Sequence, residues 1–367
     1  MSKFDVKGSM LKGMGVAIAA TLVYGGASTV TGINAEAKTY KLKYTDIGPP
    51  RGPRPETMIW WADEIKKRTD GKVQIKFYWS QSLVKGKETL KAVGAGLVDV
   101  GTVLGLYTPA DLPIWNLSNA PFGGRDPWVG MRTWQDLRKA SPELQKETQS
   151  KNVRILANFT TGSVDLLSKK PILKAADLEG LKVRATGGWG PLLQKMGATP
   201  VRIGFGELYQ ALDKGTVDAT INYIAAVKAY KQYEVANHIT EVQMGQVLGF
   251  GIGINMKKFN KMPKELQDII LQVSDEMPEE YGKRYQKSVD AARDAMKAGI
   301  DGKKIEFHVM DAAERDAWRA QSDFFVKDWL ARMKEKGVDG QKIIDQMNAL
   351  RAKYEKELAD KGYPWKR

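Results

Sequence analysis

At 367 residues, with 43% hydrophobic and 27% charged side chains, the chain has the make-up of a folded protein of about two domains, at roughly 100–200 residues each, and excludes collagen-like, low-complexity and mostly disordered classes. Lys and Arg outnumber Asp and Glu by 57 to 43, a net charge of +14 that admits a nucleic acid, an acidic membrane surface or acidic solutes as partner. The absence of Cys excludes thiol catalysis, disulfides, Cys-ligated zinc and a lipid-modified N-terminal Cys, and with only His238 and His308 no HExxH or other multi-histidine motif exists.

The first 37 residues read as an export signal. Lys3, Lys7 and Lys12 precede the apolar run MGVAIAATLV (14–23), and Ala35-Glu36-Ala37 forms an A-x-A pattern before Lys38. Ten apolar residues fall short of the ~20 that span a bilayer, so a soluble protein of a periplasm-like compartment is expected, without direct membrane insertion. From there strands and helices alternate. Tyr40, Leu42 and Tyr44 alternate with Lys41 and Lys43 as in a half-buried strand, and 56–68 places Met58, Trp61, Ala62 and Ile65 on one helical face. A strand at 73–79, a helix at 85–96 and a strand at 97–103 complete a βαβαβ unit, which predicts an α/β fold with largely parallel sheets. Further strands are expected at 153–157, 181–185 and 217–221, with helices at 189–196 and 207–214. The run LGFGIGIN (248–255) suits a strand crossing between domains where backbones approach closely. A helix over 263–299 should kink or restart at Pro278, with Ser274 or Asp275 as N-cap. A strand at 304–309 and a long amphipathic helix at 311–336 follow.

Motif searches eliminate more than they find. No GxxxxGK[ST] occurs, Gly249, Gly251 and Gly253 lie inside an apolar strand rather than a dinucleotide turn, and Ser163 and Ser168 lie in no GxSxG elbow. Structural roles are expected for both histidines. Residues 256–367 balance 24 Lys and Arg with 21 Asp and Glu, so most of the excess charge falls in 38–255, spread without a basic run; anionic solutes fit better than nucleic acid. One stretch differs. In LEGLKVRATGGWGPLLQKMGATPVR (178–202), Arg184 ends a strand, where a guanidinium can hold a carboxylate bidentately; periodicity alone favours a surface Arg on an edge strand.

The runs LKVRATGG and MGATPVRIGFGELYQALDKGTVDATIN, with WADEIKKRTDGKVQIKFYWSQSLVKGKETLKAVGAGLVDVG (61–101), NAPFGG (119–124) and INMKKFNKMPKELQDII (254–270), resemble in order the blocks of DctP-type solute-binding proteins of tripartite ATP-independent periplasmic (TRAP) transporters. That resemblance implies a two-domain α/β periplasmic-binding-protein clamshell with crossing strands and a long connecting helix, which binds an organic acid and delivers it to TRAP membrane subunits. The implied division is 38–160 with 248–288 as the first domain, 161–247 with 304–340 as the second, 263–299 as a kinked helix spanning both, and 341–367 as a C-terminal helical extension.

Carried over residue by residue, Arg184 matches the family's carboxylate-binding Arg, Asn222 a polar ligand contact and Phe205 an aromatic pocket position. Glu88 occupies an acidic place that reaches ligand hydroxyls or water, or else stabilises its helix dipole; Trp189 stacks on ligand or packs in the core. FTTGSVDLLS (159–168) lacks the further Arg of sialic-acid-type members, and Ile221 stands where an acid precedes the Asn, which suggests a monocarboxylate with an apolar or aromatic body. No second acid is placed for a metal, so neither an obligatory cation nor another cofactor is expected, nor is catalysis. The competing readings are a secreted enzyme acting on a carboxylate and a basic nucleic-acid-binding protein, the latter requiring a steeply salt-dependent affinity. Mass spectrometry of the exported protein should find a chain beginning at Lys38; a mature chain still beginning at Met1 would contradict the signal.

Overall fold

The computed structural model describes residues 38–367, and the expected export segment lies outside the described residues. The chain opens with β1 (Tyr40–Thr45), α1 (Pro53–Arg68), β2 (Val73–Tyr78), α2 (Thr89–Ala95) and β3 (Val100–Leu104). Helix α1 starts three residues early because Pro53 and Pro55 occupy its first turn, where a preset φ helps and a missing N–H costs nothing. Residues 105–149, which show no clear period, hold α3 (Pro127–Ala140) and α4 (Pro142–Gln149). Each starts on a capped X-Pro step: Asp126 accepts from the Val129 N–H at 2.9 Å and Ser141 from the Leu144 N–H at 3.3 Å.

The middle of the chain comprises β4 (Val153–Phe159), β5 (Asp165–Ser168), β6 (Lys182–Arg184), α5 (Trp189–Lys195), β7 (Thr199–Val201), α6 (Leu208–Asp213), β8 (Ala219–Asn222), α7 (Ile224–Ala229), β9 (His238–Glu241) and β10 (Phe250–Asn255). It ends with α8 (Met256–Asn260), α9 (Lys264–Asp275), α10 (Met277–Ala298), β11 (Glu306–Val309), α11 (Ala312–Ala320), α12 (Asp323–Glu335) and α13 (Gly340–Lys361).

Two sheets organise these elements, one ordered β2-β1-β3-β10-β4 and one β11-β9-β5-β8-β6-β7. They are mixed rather than largely parallel. β1 runs parallel to β2 and β3, but β10 is antiparallel to β3 and β4, and β5 is antiparallel to β8 and β9. The reversed strands are those that arrive from the other sheet, so they enter against the direction set by the local βα units. β7 forms one edge of the second sheet, with Pro200 at its centre.

The two connections between sheets, 160–164 and 242–249, lie side by side. Thr161 N donates to Val247 O (3.2 Å), Val164 N to Gly245 O (2.8 Å) and Met244 N to Val164 O (2.9 Å). Gly162 sits there at φ 70°, and a Cβ in its place would collide with the Tyr285 ring of α10. The glycines around β10 serve the same close approach: a Cβ at Gly249 would stand 2.6 Å from Asn119 Nδ2.

Two helical expectations need correction. The 263–299 helix restarts at Glu276, with Pro278 in the first turn of α10, yet neither Ser274 nor Asp275 caps it. The Ser274 hydroxyl instead donates to Ile270 O (2.6 Å) and accepts from Trp61 Nε1 (3.0 Å). The 311–336 helix is two helices broken at Gln321 and Ser322. Nor does 304–340 act as one piece: β11 joins the second sheet, whereas Trp329 and Met333 of α12 pack with Trp115, Trp134 and Leu137, and with Ile343 and Met347 of α13, in the core beside the first sheet. Trp329 is fully buried and donates Nε1–H to Pro113 O at 2.8 Å. Trp329→Ala should therefore cost about 3–5 kcal/mol, read as a lower denaturation midpoint.

Candidate ligand-binding site

A cavity of about 50 Å³, partly open to solvent, lies between the two sheets beside the crossing segments. Ile47 following β1 and Leu106 and Tyr107 following β3 line it from the first sheet; Arg184 and Thr186 at the end of β6 and Asn222 and Tyr223 at the end of β8 line it from the second. These are carboxyl ends of parallel strands, where chains diverge and α/β folds place ligands.

Arg184 is only 4% exposed. Its strand lies between β7 and β8, so it is an interior position rather than an edge one. Nε donates to Ile203 O at 3.3 Å and the guanidinium lies 5.4 Å from the Phe205 ring centroid. Among the described residues no carboxylate forms an ion pair with it. Burial pulls its pKa below the ordinary Arg value, an effect only partly offset by the phenols of Tyr107 and Tyr223.

Arg54, which no motif in the sequence singles out, lines the same cavity in the opposite electrostatic state. Its two terminal nitrogens donate to Asp46 Oδ2 and Oδ1 at 2.6 and 2.7 Å. Asp46 also accepts from Gly48 N (2.8 Å) and Thr102 Oγ1 (2.5 Å). Burial alone would lower the Arg54 pKa, but the Asp46 charge reverses this and raises it. Arg54 is thus neutralised within the protein while Arg184 is not.

Aromatic rings form the remaining walls. Phe205 stacks on Tyr223 (5.7 Å, 18°) and meets Tyr230 edge-on (4.9 Å, 85°). Burial holds the Tyr223 and Tyr230 phenols above their ordinary pKa, so both are donors at neutral pH. Asn222 donates to Gln232 Oε1 (2.6 Å) and accepts from Tyr223 N (2.8 Å), which among the described residues leaves one N–H and one lone pair of its amide free. None of the residues lining the cavity is Asp, Glu or His; the set suits an anion, not a metal ion.

The profile of bacterial extracellular solute-binding protein family 7, DctP, matches residues 47–332. The chain belongs to this family. It is a DctP-type TRAP solute-binding protein, and the two-domain α/β fold expected from its sequence is the fold observed. Its relatives include the C4-dicarboxylate-binding periplasmic protein DctP of Rhodobacter capsulatus, 25% identical over 294 residues, 79% of this chain and 86% of the relative. A TRAP periplasmic solute-binding protein of Desulfovibrio salexigens, in an open complex with a symmetry mate's C-terminus in its ligand site, is 28% identical with a TM-score of 0.75, covering 86% of this chain and 97% of that one. A TRAP solute-binding protein of Rhodoferax ferrireducens with copurified benzoate shares the fold at TM-score 0.78 and 23% identity, covering 87% and 99%. Among the described residues, no helix is long and apolar enough to cross a membrane.

The structure gathers Arg184, Phe205 and Asn222 of the expected residues, with Ile221, around one cavity. It does not bring Glu88 or Trp189 to it. Glu88 is exposed at the end of a 3₁₀ turn before α2, consistent with the helix-dipole role. Trp189 is fully buried in the core and its Nε1–H is taken by Met244 O at 3.0 Å, because the turn after β6 points the first residue of α5 inward. The sequence reading missed Tyr107, Tyr223 and Tyr230; the last two flank α7 directly after Asn222, in NYIAAVKAY.

Asp165 opens β5 opposite Asn222. Its buried carboxyl accepts from Gln243 N at 2.8 Å, and burial pushes its pKa from 3.8 to about 7 despite that hydrogen bond. A folded pKa above the unfolded one means that folding retains a proton; the stability this contributes is present below the unfolded value and is lost as pH rises toward the folded one. Asp165→Asn keeps an oxygen for the Gln243 N–H. It should raise Tm at pH 8 relative to the native protein, and this advantage should shrink as the pH is lowered to 4, as measured in a pH series of thermal unfolding curves.

Proposed function

We propose that this protein captures an organic acid, a monocarboxylate with an apolar or aromatic body, between its two domains in the periplasm and delivers it to TRAP membrane subunits. The observation that carries this reading is the Arg184 guanidinium, buried at a cavity wall with no carboxylate paired to it among the described residues. A buried charge needs a partner, and a ligand carboxylate supplies one through two parallel N–H···O bonds. Asn222 offers its free amide positions to the same ligand, while Phe205, Ile221 and the tyrosines cover its body. Arg54, occupied by Asp46, is not available to a second carboxylate, which favours mono- over dicarboxylates. Without an acid or imidazole in the lining, the cavity offers no general base, which supports capture rather than turnover.

In this reading 38–160 with 248–288, and 161–247 with the 304–320 segment, are the bodies that close on the ligand, bending at the paired crossing segments. Benzoate and a panel of aliphatic and aromatic acids, tested by calorimetry, should reveal a monocarboxylate that binds and shrinks the protein in solution scattering. Arg184→Ala should weaken that binding by on the order of 2–5 kcal/mol, since the ligand charge is left unpaired in a closed cleft. Arg184→Lys should also bind poorly, because an ammonium lacks the planar fork, whereas exchange of the exposed Lys169 for Ala should change little. Native-like binding by Arg184→Ala would move the site elsewhere.

A further inference from the structure

The only two histidines of the chain lie 70 positions apart and meet in the folded protein, His238 Nδ1 standing 3.1 Å from His308 Nε2. From the sequence, structural roles are expected for both. β11 runs parallel to β9 with Glu306 opposite His238, and the two-residue period of a strand puts Glu306 and His308 on one face of β11. The Glu306 carboxylate comes within 3.6 Å of His238 Nδ1 and 3.9 Å of His308 Nε2.

We propose that His238, Glu306 and His308 form a binding site for a divalent transition-metal cation of the zinc, nickel or copper class, separate from the organic-acid cavity. Three donor atoms converge here on one point. Around a tetrahedral ion with bonds of ~2.0–2.2 Å, ligand atoms stand about 3.3–3.6 Å apart, close to the three separations observed. Two imidazoles and a carboxylate suit these ions and not magnesium or calcium, which take oxygen shells.

A plain histidine–histidine hydrogen bond explains less. One ring supplies the proton and the other the lone pair, and the carboxylate, which faces the same two nitrogens, is then left without a donor from either. A cation satisfies all three lone pairs together. The imidazoles are held in place, with side chains 11% and 23% exposed and rings stacked at 5.3 Å, while Glu306 is 62% exposed, so water has access to a fourth position. Bound there, the ion would tie the edge strand β11, where the chain returns from α10, to β9.

The test is calorimetric titration with zinc chloride of the full chain, expressed with its export segment, purified without an oligohistidine tag and stripped with EDTA. One zinc per chain is expected, with no uptake of magnesium or calcium. His308→Gln and Glu306→Gln, both on the exposed edge strand, should each weaken binding by more than the roughly 10–100-fold typical of losing a group that merely orients a metal ligand; His238→Gln should do the same, with circular dichroism confirming its fold. Arg184→Ala should bind zinc as the native protein does. Absence of zinc uptake by the native chain, or native affinity in His308→Gln, would overturn the site.

Discussion

A guanidinium removed from water without a counter-charge is the constraint around which the cavity is built. Desolvating such a group costs several kcal/mol unless charge or hydrogen bonds replace the lost water. Among the described residues Arg184 has the Ile203 carbonyl and the Phe205 face, while Arg54 has both Asp46 oxygens, themselves held by Thr102 and Gly48. The two arginines line one cavity in different electrostatic states: Arg54 completes a pairing within the protein, and Arg184, among the described residues, has no carboxylate against it.

Holding Arg184 in that state depends on the sheet around it. Register with Thr220 on one side and Val201 on the other fixes its backbone, so the side chain cannot swing to solvent without disrupting a central strand. The aromatic wall then excludes water from the guanidinium. The crossing segments set the opposite wall: their mutual hydrogen bonds and the contact of Tyr281 with the Thr160 carbonyl keep the two sheets joined through a narrow ribbon. The ribbon is only a few residues wide, and Gly162 holds its positive φ within it.

Strand and helix positions were legible wherever burial follows a period. Tyr40 to Tyr44 and Met58 to Ile65 each obey a single face, and the structure respects it. Direction was not legible, because β10 and β5 look like any apolar strand and their antiparallel entry follows from which sheet the preceding residues left. The helices at 127–149 went unread, since the buried residues there mix Trp128 with Thr133 and Gln135 and no single apolar period stands out. At the site, the motif drew attention to Arg184, but its separation from carboxylates among the described residues is a fact of three dimensions, as is the pairing of Arg54 with Asp46. Trp189 and Glu88 show the converse: adjacency to a motif does not decide which way a turn sends a side chain.

The short outer strand β7 bears on how the protein behaves in a crowded solution. Thr199 N–H points inward to Leu181 O and Val201 O accepts inward from Ala185 N, so the nitrogen that faces away from the sheet belongs to Pro200 and carries no hydrogen. An incoming strand would find no central donor to pair with, and three residues give little length on which to build a ladder. This margin of the sheet is thereby closed to edge-to-edge association without loss of a single internal hydrogen bond, a safeguard against self-assembly into extended β-structure.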